Sequence, residues 1–386
     1  MCDVVIAGIG QVPVGEHWGV PLRTLAARAM LAAQRDAGGL KPQALYVGNL
    51  LSPVVSHQSN LGTLLADNAG MSGIEAFTVE AAEASGAGAL RAGYLAVLSG
   101  YVDVAMVVGV EKFTDAVGPV IEGAMSETMD YDFEATNGLT PTAAAAMVMR
   151  LYMQTYDLPS DGLAGFPVLA HENALNNPNA YFRRALTREG YARAAMLSTP
   201  LNLYDKAPYA DGAAAVILTR PDRLKKALEH PLVQVRGSGA AIDTLALHDR
   251  HDPLAFHAAV VAIQNACRHA GILPADVQVF ELSDNFSVYA ALCLEAGGFA
   301  QRGAGWKLAN GDELSLKGRL PVCTMGGMKA RGNPAGASGV YQVVEACLQL
   351  RGEAGANQVR DARRALTLCL GGPASTAVCH VLQTWQ

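Results

Sequence analysis

Long apolar runs alternate along this chain with Ala-rich stretches of helical spacing, and the alternation predicts an α/β protein. Val102 to Val110 and Ala365 to Leu370 are continuous apolar segments, as expected of strands covered by helices on both faces. Two segments that begin Ala84-Ser85-Gly86 and Ala337-Ser338-Gly339 read as helices. Each ends near a glycine, Gly100 or Gly352, and each is followed by an apolar strand. A second echo pairs Arg35-Asp36-Ala37-Gly38-Gly39-Leu40, leading into Ala44 to Val47, with Arg268-His269-Ala270-Gly271-Ile272-Leu273, leading into Val277 to Leu282. The offset, Arg268 against Arg35, is 233 residues. Such a distance predicts two duplicated α/β halves rather than a solenoid, whose repeats are much shorter. Residues 112–200 interrupt the pattern, being richer in Met, Tyr, Asn, Pro and charge. They are expected to form a loop-and-helix insertion over the active site. The expected division is therefore 1–111 with 201–235 as the first half, 112–200 as a loop domain, and 236–386 as the second half.

Composition narrows the classes. The 386 residues are enough for a large core, and 51% hydrophobic content with only 6% aromatics and 40 glycines suits closely packed helices on buried strands. A formal net charge of −6 gives no basic footprint for nucleic acid or an anionic membrane. The seven cysteines, Cys2, Cys267, Cys293, Cys323, Cys347, Cys369 and Cys379, are scattered and never spaced C-x-x-C. That pattern speaks against a disulfide framework or an internal metal site, and for a reducing compartment. The start, Met1-Cys2-Asp3-Val4-Val5-Ile6, lacks a basic leader, and the end, Leu382-Gln383-Thr384-Trp385-Gln386, carries no peroxisomal tripeptide. With no apolar run of membrane length, a cytoplasmic protein is expected.

Four further stretches carry the chemistry. They are His171-Glu172-Asn173-Ala174-Leu175-Asn176-Asn177-Pro178-Asn179-Ala180-Tyr181; Tyr204-Asp205 with Asp211-Gly212-Ala213-Ala214-Ala215; Gly326-Gly327 with Gly332-Asn333-Pro334-Ala335-Gly336-Ala337-Ser338-Gly339; and Cys369-Leu370-Gly371-Gly372. Taken in order over most of the chain, they resemble the sterol-carrier-protein-x branch of the thiolase superfamily. The resemblance implies the thiolase fold, two α/β halves in five layers (αβαβα) with an inserted loop domain. It also implies chemistry on acyl-CoA thioesters, with coenzyme A as the carrier and no metal in this chain. A homodimer joined edge to edge is implied too, together with either a separate small OB-fold, zinc-ribbon subunit or a second thiolase-like chain.

In that family a nucleophilic Cys opens a buried helix, a His in a G-H-P motif activates it, a second Cys in C-x-G moves the α-proton, and a His in an H-D-x-F string holds the thioester oxygen. By resemblance those roles fall on Glu83, Asn333, Cys369 and Ser283. Only Cys369 is kept. The frames around the substitutions are intact: Asp284 and Phe286 follow Ser283, while Pro334, Gly336 and Gly339 follow Asn333. Altered chemistry is therefore expected rather than a shifted register. A carboxylate is a poor store for an acyl group, since attack on a thioester yields a mixed anhydride. It is well suited to taking a proton from carbon or oxygen. Burial would raise the Glu83 pKa and the helix dipole would lower it.

Three readings follow. Glu83 and Cys369 form an acid-base pair around an enolate held by backbone N–H groups near positions 83 and 371, for aldol, retro-aldol or Claisen-type chemistry without an acyl-cysteine. Alternatively, the chain is a non-catalytic subunit in which Glu83 caps its helix and Cys369 fills space. The third reading is an ordinary acetyl-CoA acyltransferase. Gly371, Lys329 and Arg331 are the expected contacts to CoA, with Lys206 and the Arg183-Arg184 pair as further cations. His380 and Cys323 are expected to be structural.

Overall fold

The computed structural model describes residues 3–385, so Cys2 and the two terminal segments' outermost residues, Met1 and Gln386, lie outside the described residues. The first half runs β1 (Val5–Gln11), α1 (Leu22–Asp36), β2 (Ala44–Gly48), α2 (Leu61–Asn68), β3 (Glu75–Val79), α3 (Ser85–Leu98) and β4 (Val104–Glu111). An insertion follows, with α4 (Pro119–Ser126), α5 (Pro141–Thr155), α6 (Gly165–Ala174), α7 (Arg188–Ala192) and a short hairpin of β5 (Met196–Ser198) and β6 (Leu201–Asn202). The chain returns to the sheet as β7 (Gly212–Thr219). The second half contains β8 (Val233–Ile242), α8 (His257–Ala270), β9 (Val279–Glu281), α9 (Ser287–Ala296), α10 (Gly305–Leu308), α11 (Ser338–Arg351), β10 (Arg364–Gly371) and β11 (Thr376–Thr384).

The main strands hydrogen-bond in one continuous mixed order, β3-β2-β4-β7-β1-β8-β11-β10-β9, which divides into a first and a second sheet where β1 meets β8 through only Val5–Gln234 and Ile6–Val233. The apolar runs that predicted strands are β4 and β10, and both are almost wholly buried. Strand β8 straddles the boundary expected at residues 235 and 236.

Three cores separate the helices and sheets into the five layers. One lies between α1, α2 and the outer face of the first sheet; another fills the middle, where α3 and α11 lie between the sheets; the third lies under α8 and α9. The outer helices present one apolar stripe, as in α1, where Leu22, Leu25, Ala26, Ala29, Met30 and Ala33 recur at helical spacing and are buried. Of the middle helices α11 is buried almost throughout, and α3, which packs against it, is rich in Gly and Ala. A Cβ on Gly339 of α11 would lie 2.5 Å from the Ala87 nitrogen of α3, so only glycine lets the two backbones approach.

The duplication is also written in the strands. Gly8 and Gly10 of β1 sit under α1, and Gly237 and Gly239 of β8 sit under α8 in the same way. A Cβ at Gly8 would meet the Ala33 carbonyl at 2.2 Å, and one at Gly237 would meet the Ala266 carbonyl at 2.1 Å. This Gly-x-Gly signal strengthens the repeat carried by the helix ends. No helix among the described residues is long and apolar enough to cross a membrane.

Candidate active site

Glu83 stands where the chain leaves β3 and enters α3, and the local sequence fixes it there. Ala82 takes a left-handed conformation, φ 51°, which costs a non-glycine residue about 1 kcal/mol. Ser85 holds the bend by accepting the Ala81 N–H at 2.9 Å and donating to the Ala82 carbonyl at 2.5 Å. The result is a carboxylate with 4% of its residue surface exposed, at the head of a buried helix.

The loop after β10 meets it. Gly372 N–H donates to Glu83 Oε2 at 2.7 Å, and the Cys369 thiol donates to the Glu83 carbonyl at 3.4 Å. Burial and the backbone donors act on the Glu83 pKa in opposite directions, and burial prevails. The pKa is raised to about 7, against the lowering effect of its own and the Gly372 N–H and with a small push from Glu80. Burial, then the neighbouring Glu83 charge, pushes the Cys369 thiol up to about 12. Cys369 is therefore a protonated donor and not a thiolate. The same holds for Cys293 and Cys323, both raised by burial and donating to the Ser283 and Leu282 carbonyls.

The donor that reaches the Glu83 carboxylate is Gly372, the neighbour of Gly371, the residue expected to contact CoA and to lie near the enolate. Gly371 is tied up in the β10–β11 pairing opposite Thr376, and a Cβ on it would lie 2.3 Å from the Ala81 carbonyl. Its smallness lets β10 pass the Glu83 loop.

Ser283 stands beside the Cys369 thiol but has a bonding partner on each side. Its hydroxyl donates to the Leu368 carbonyl at 3.2 Å and accepts the Leu370 N–H at 2.9 Å. With its one hydrogen engaged, it ties the β9 loop to β10 and has none left for a thioester oxygen. Asn333 is held by its oxygen, which accepts from Ala335 N–H at 3.1 Å and from the Ser338 hydroxyl at 3.0 Å. That leaves the amide NH2 as the end available to a ligand. Its backbone is clamped to the loop before β7, with Asn333 N–H on the Pro208 carbonyl and Ala210 N–H on the Asn333 carbonyl.

The expected CoA contacts separate. Arg331 is 1% exposed, pairs with Glu345 at 2.8 Å and stacks its guanidinium over Tyr341 at 4.8 Å. It is an internal strut and does not reach a phosphate. Lys329 is also buried, with Nζ donating to the Asp205 and Tyr204 carbonyls at 2.7 and 3.2 Å, and burial lowers its pKa to about 8. Unlike Arg331, it lines a cavity of about 340 Å³ together with His171, Phe182, Arg184, Lys206 and Tyr209. Lys206 lies 4.4 Å over the Tyr209 ring and pairs with Glu122. Ala207, on the cavity wall, belongs to the apolar cluster with Ala84, Met328 and Cys369, so the cavity leads toward the Glu83 site.

His171, Tyr209 and Gly372 are site elements that the residue patterns alone did not single out, although His171 and Gly372 lie within the strings quoted above. Tyr209 has no sequence signal; its pairing with Asn333 and its place on the cavity wall put it there. His380 is fully buried on β11 with Nε2 against the Ala87 carbonyl at 3.1 Å, away from the carboxylate.

Comparison with known proteins bears on what such a site does. Residues 4–192 match the thiolase N-terminal domain and residues 239–384 match the thiolase C-terminal domain-like family. The chain is 40% identical to an acetyl-CoA acetyltransferase of Methanothermobacter thermautotrophicus over 383 residues, 99% of both chains. It is 28% identical to the 17-hydroxy-3-oxo-4-pregnene-20-carboxyl-CoA lyase of Mycobacterium tuberculosis, over 91% of this chain and 92% of that one. Among solved structures it is similar to the Ltp2-ChsH2(DUF35) aldolase, with a TM-score of 0.86 and 25% identity over 99% of this chain and 98% of that one. Both domain matches, the near full-length relative and the five-layer fold agree: the chain belongs to the thiolase family.

Proposed function

We propose that this protein makes or breaks a carbon–carbon bond beside the thioester of an acyl-CoA, in the aldol or retro-aldol sense, without an acyl-cysteine intermediate. The observation that carries the proposal is the carboxylate at position 83, with a pKa near neutrality and a protonated Cys369 beside it. In the cleavage direction Glu83 takes the proton of a 3-hydroxyl group. The Cα–Cβ electrons move toward the thioester carbonyl, a carbonyl compound leaves, and the resulting enolate takes a proton at Cα from Cys369. Return of the proton from Glu83 to Cys369 resets the pair. Asn333, through its free amide NH2, is the proposed donor to the enolate oxygen. The ester enters through the cavity walled by Tyr209 and Ala207, with Lys206, Lys329 and Arg184 as its cations.

Similarity to a lyase and to an aldolase supports this reading, and the two components in the aldolase's name support a separate partner chain. The exposed edge of β3, with Phe77 58% exposed, suits the expected homodimer. The test is product analysis with 3-hydroxyacyl-CoA and 3-ketoacyl-CoA esters. Release of an aldehyde or ketone with a shorter acyl-CoA supports the proposal. CoA-dependent thiolysis of the keto ester that survives in Glu83→Gln would overturn it.

A second reading, a subunit without chemistry of its own, is favoured by one fact. The Glu83 carboxylate itself occupies the Gly372 N–H, a donor a bound thioester oxygen would otherwise use.

A further inference from the structure

Glu111, the last residue of β4, is 1% exposed, and its four hydrogen-bond partners are all N–H groups. Its Oε1 accepts the Leu51 N–H at 3.0 Å and the Asn49 side-chain amide at 2.9 Å. Its Oε2 accepts the Leu50 N–H at 3.0 Å and the Gly336 N–H at 3.1 Å. Three of these donors belong to the segment that follows β2, in the first half of the fold. The fourth belongs to the loop of the second half that carries Asn333. One buried carboxylate thus ties that loop to the other half across 225 residues of sequence.

Gly336 is the centre of the turn that sets the Asn333 side chain. Asn333 Oδ1 accepts the Ala335 N–H at 3.1 Å and the Ser338 hydroxyl at 3.0 Å, one on either side of Gly336. Ala335 has a φ of 30°, in the left-handed region that an alanine enters only when its surroundings hold it there. The Ala337 N–H closes the turn on the Pro334 carbonyl at 2.8 Å. A Cβ on Gly336 would lie 2.7 Å from the Leu50 nitrogen and 2.9 Å from Glu111 Oε2, so the loop rests directly on the carboxylate and its partners. With its oxygen committed inside this turn, Asn333 points its NH2 wherever the turn is held.

We infer that Glu111 is a positioning residue for Asn333: by holding Gly336 it aims the Asn333 NH2 at the enolate oxygen, without touching the substrate itself. The inference rests on the acid-base reading above, in which Asn333 is the donor to that oxygen, and adds what aims the donor. Glutamine has the shape of glutamate but only one acceptor oxygen. Whichever way it turns, its NH2 faces two N–H donors, either Leu50 and Gly336 or Leu51 and Asn49. Glu111→Gln therefore loosens the clamp in both orientations.

A double-mutant cycle tests it, read by deuterium exchange at the α-carbon of acetyl-CoA and butyryl-CoA. At about pH 8, Glu83 and Glu111, each raised to about 7 by burial, are ionised. Glu111→Gln is expected to lower the maximal exchange rate about tenfold or more, with the half-saturating ester concentration within about twofold of wild type. In an Asn333→Ala background the same substitution is expected to have less than about a twofold further effect. Wild-type exchange in Glu111→Gln overturns the inference, and so does an equal fall in both backgrounds, the mark of general damage. Either result leaves the acid-base reading standing, because the wild type still exchanges. No exchange by the wild type removes both. Should Glu111→Gln not fold, Glu111→Asp, which keeps the charge but is one methylene shorter than the span between the two pairs of donors, takes its place in the same cycle.

Discussion

The carboxylate of Glu83 accepts the backbone N–H of Gly372 at 2.7 Å, across a sequence distance of 289 residues. The two halves of the fold thus meet at this carboxylate: the turn leading into α3 supplies the acid and the loop after β10 supplies its N–H donor. Cys369 closes the same contact from the other side by donating to the Glu83 carbonyl. Any change that separates α3 from β10 will therefore act on the carboxylate, the thiol and the backbone donor together.

The first prediction concerns pH. The Glu83 pKa is raised from 4.5 to about 7, so the folded state holds this proton more tightly than the unfolded state. Its contribution to stability is complete below the unfolded value and is lost as pH rises through the folded one. The loss amounts to about 3 kcal/mol by about pH 8. Glu111, Glu281 and Glu345 are raised as well, so the Glu83 part is read as a difference. Denaturant unfolding of wild type and Glu83→Gln across this range should show the variant gaining about 3 kcal/mol relative to wild type between about pH 4.5 and pH 8. The activity of the wild type should rise over the upper part of this window as the base ionises.

Ser283→Ala removes a buried donor to Leu368 and a buried acceptor from Leu370 at one stroke. The expected cost is about 1–3 kcal/mol of unfolding free energy. Turnover per folded molecule should fall less than tenfold, since the hydroxyl has no hydrogen to offer a substrate. A loss of several hundredfold with unchanged stability would make Ser283 an oxyanion donor after all.

Arg331 is predicted to matter for folding and not for CoA. Glu345→Gln leaves the buried guanidinium without its counter-charge and should cost about 3–5 kcal/mol. The paired replacement Arg331→Met with Glu345→Leu should recover most of it. The affinity for free CoA, measured by titration, should stay within about twofold of wild type in the paired variant.

Lys206 behaves in the opposite way. Its ion pair with Glu122 is partly exposed, so Lys206→Gln should change stability by less than about 1 kcal/mol. The affinity for acyl-CoA should fall severalfold and its dependence on salt should flatten, because a cation has left the cavity wall. An unchanged affinity would place the CoA phosphates elsewhere.

The fold was legible because its signals are local and repeated. Apolar runs became β4 and β10, and the duplicated helix ends at Gly38 and Gly271 became equivalent corners of the two halves. The site was legible only as a set of positions. Glu83 and Cys369 do come together, but that the Glu83 carboxylate takes the Gly372 N–H was not legible, because it depends on how far a glutamate side chain reaches across the fold. Nor could it tell that Arg331 faces inward to Glu345, since a basic residue beside a glycine loop reads as a phosphate contact until its partner, 14 residues on, is seen across the fold. Ser283 looked like a vacancy in a catalytic string. In three dimensions it is a staple for β10. The opposing effects on Glu83 were visible beforehand, and only its burial at 4% exposure decides between them.

The central claim is that Glu83 and Cys369 form a working acid-base pair at the α-carbon of an acyl-CoA. It is tested most directly by NMR-detected deuterium exchange at that carbon in D2O, with wild type, Glu83→Gln and Cys369→Ala. Exchange in the wild type that is lost in either variant is the predicted result. Wild-type protein that binds the esters and exchanges no deuterium would contradict it, and would identify the chain as a thiolase-family subunit whose chemistry lies in another polypeptide.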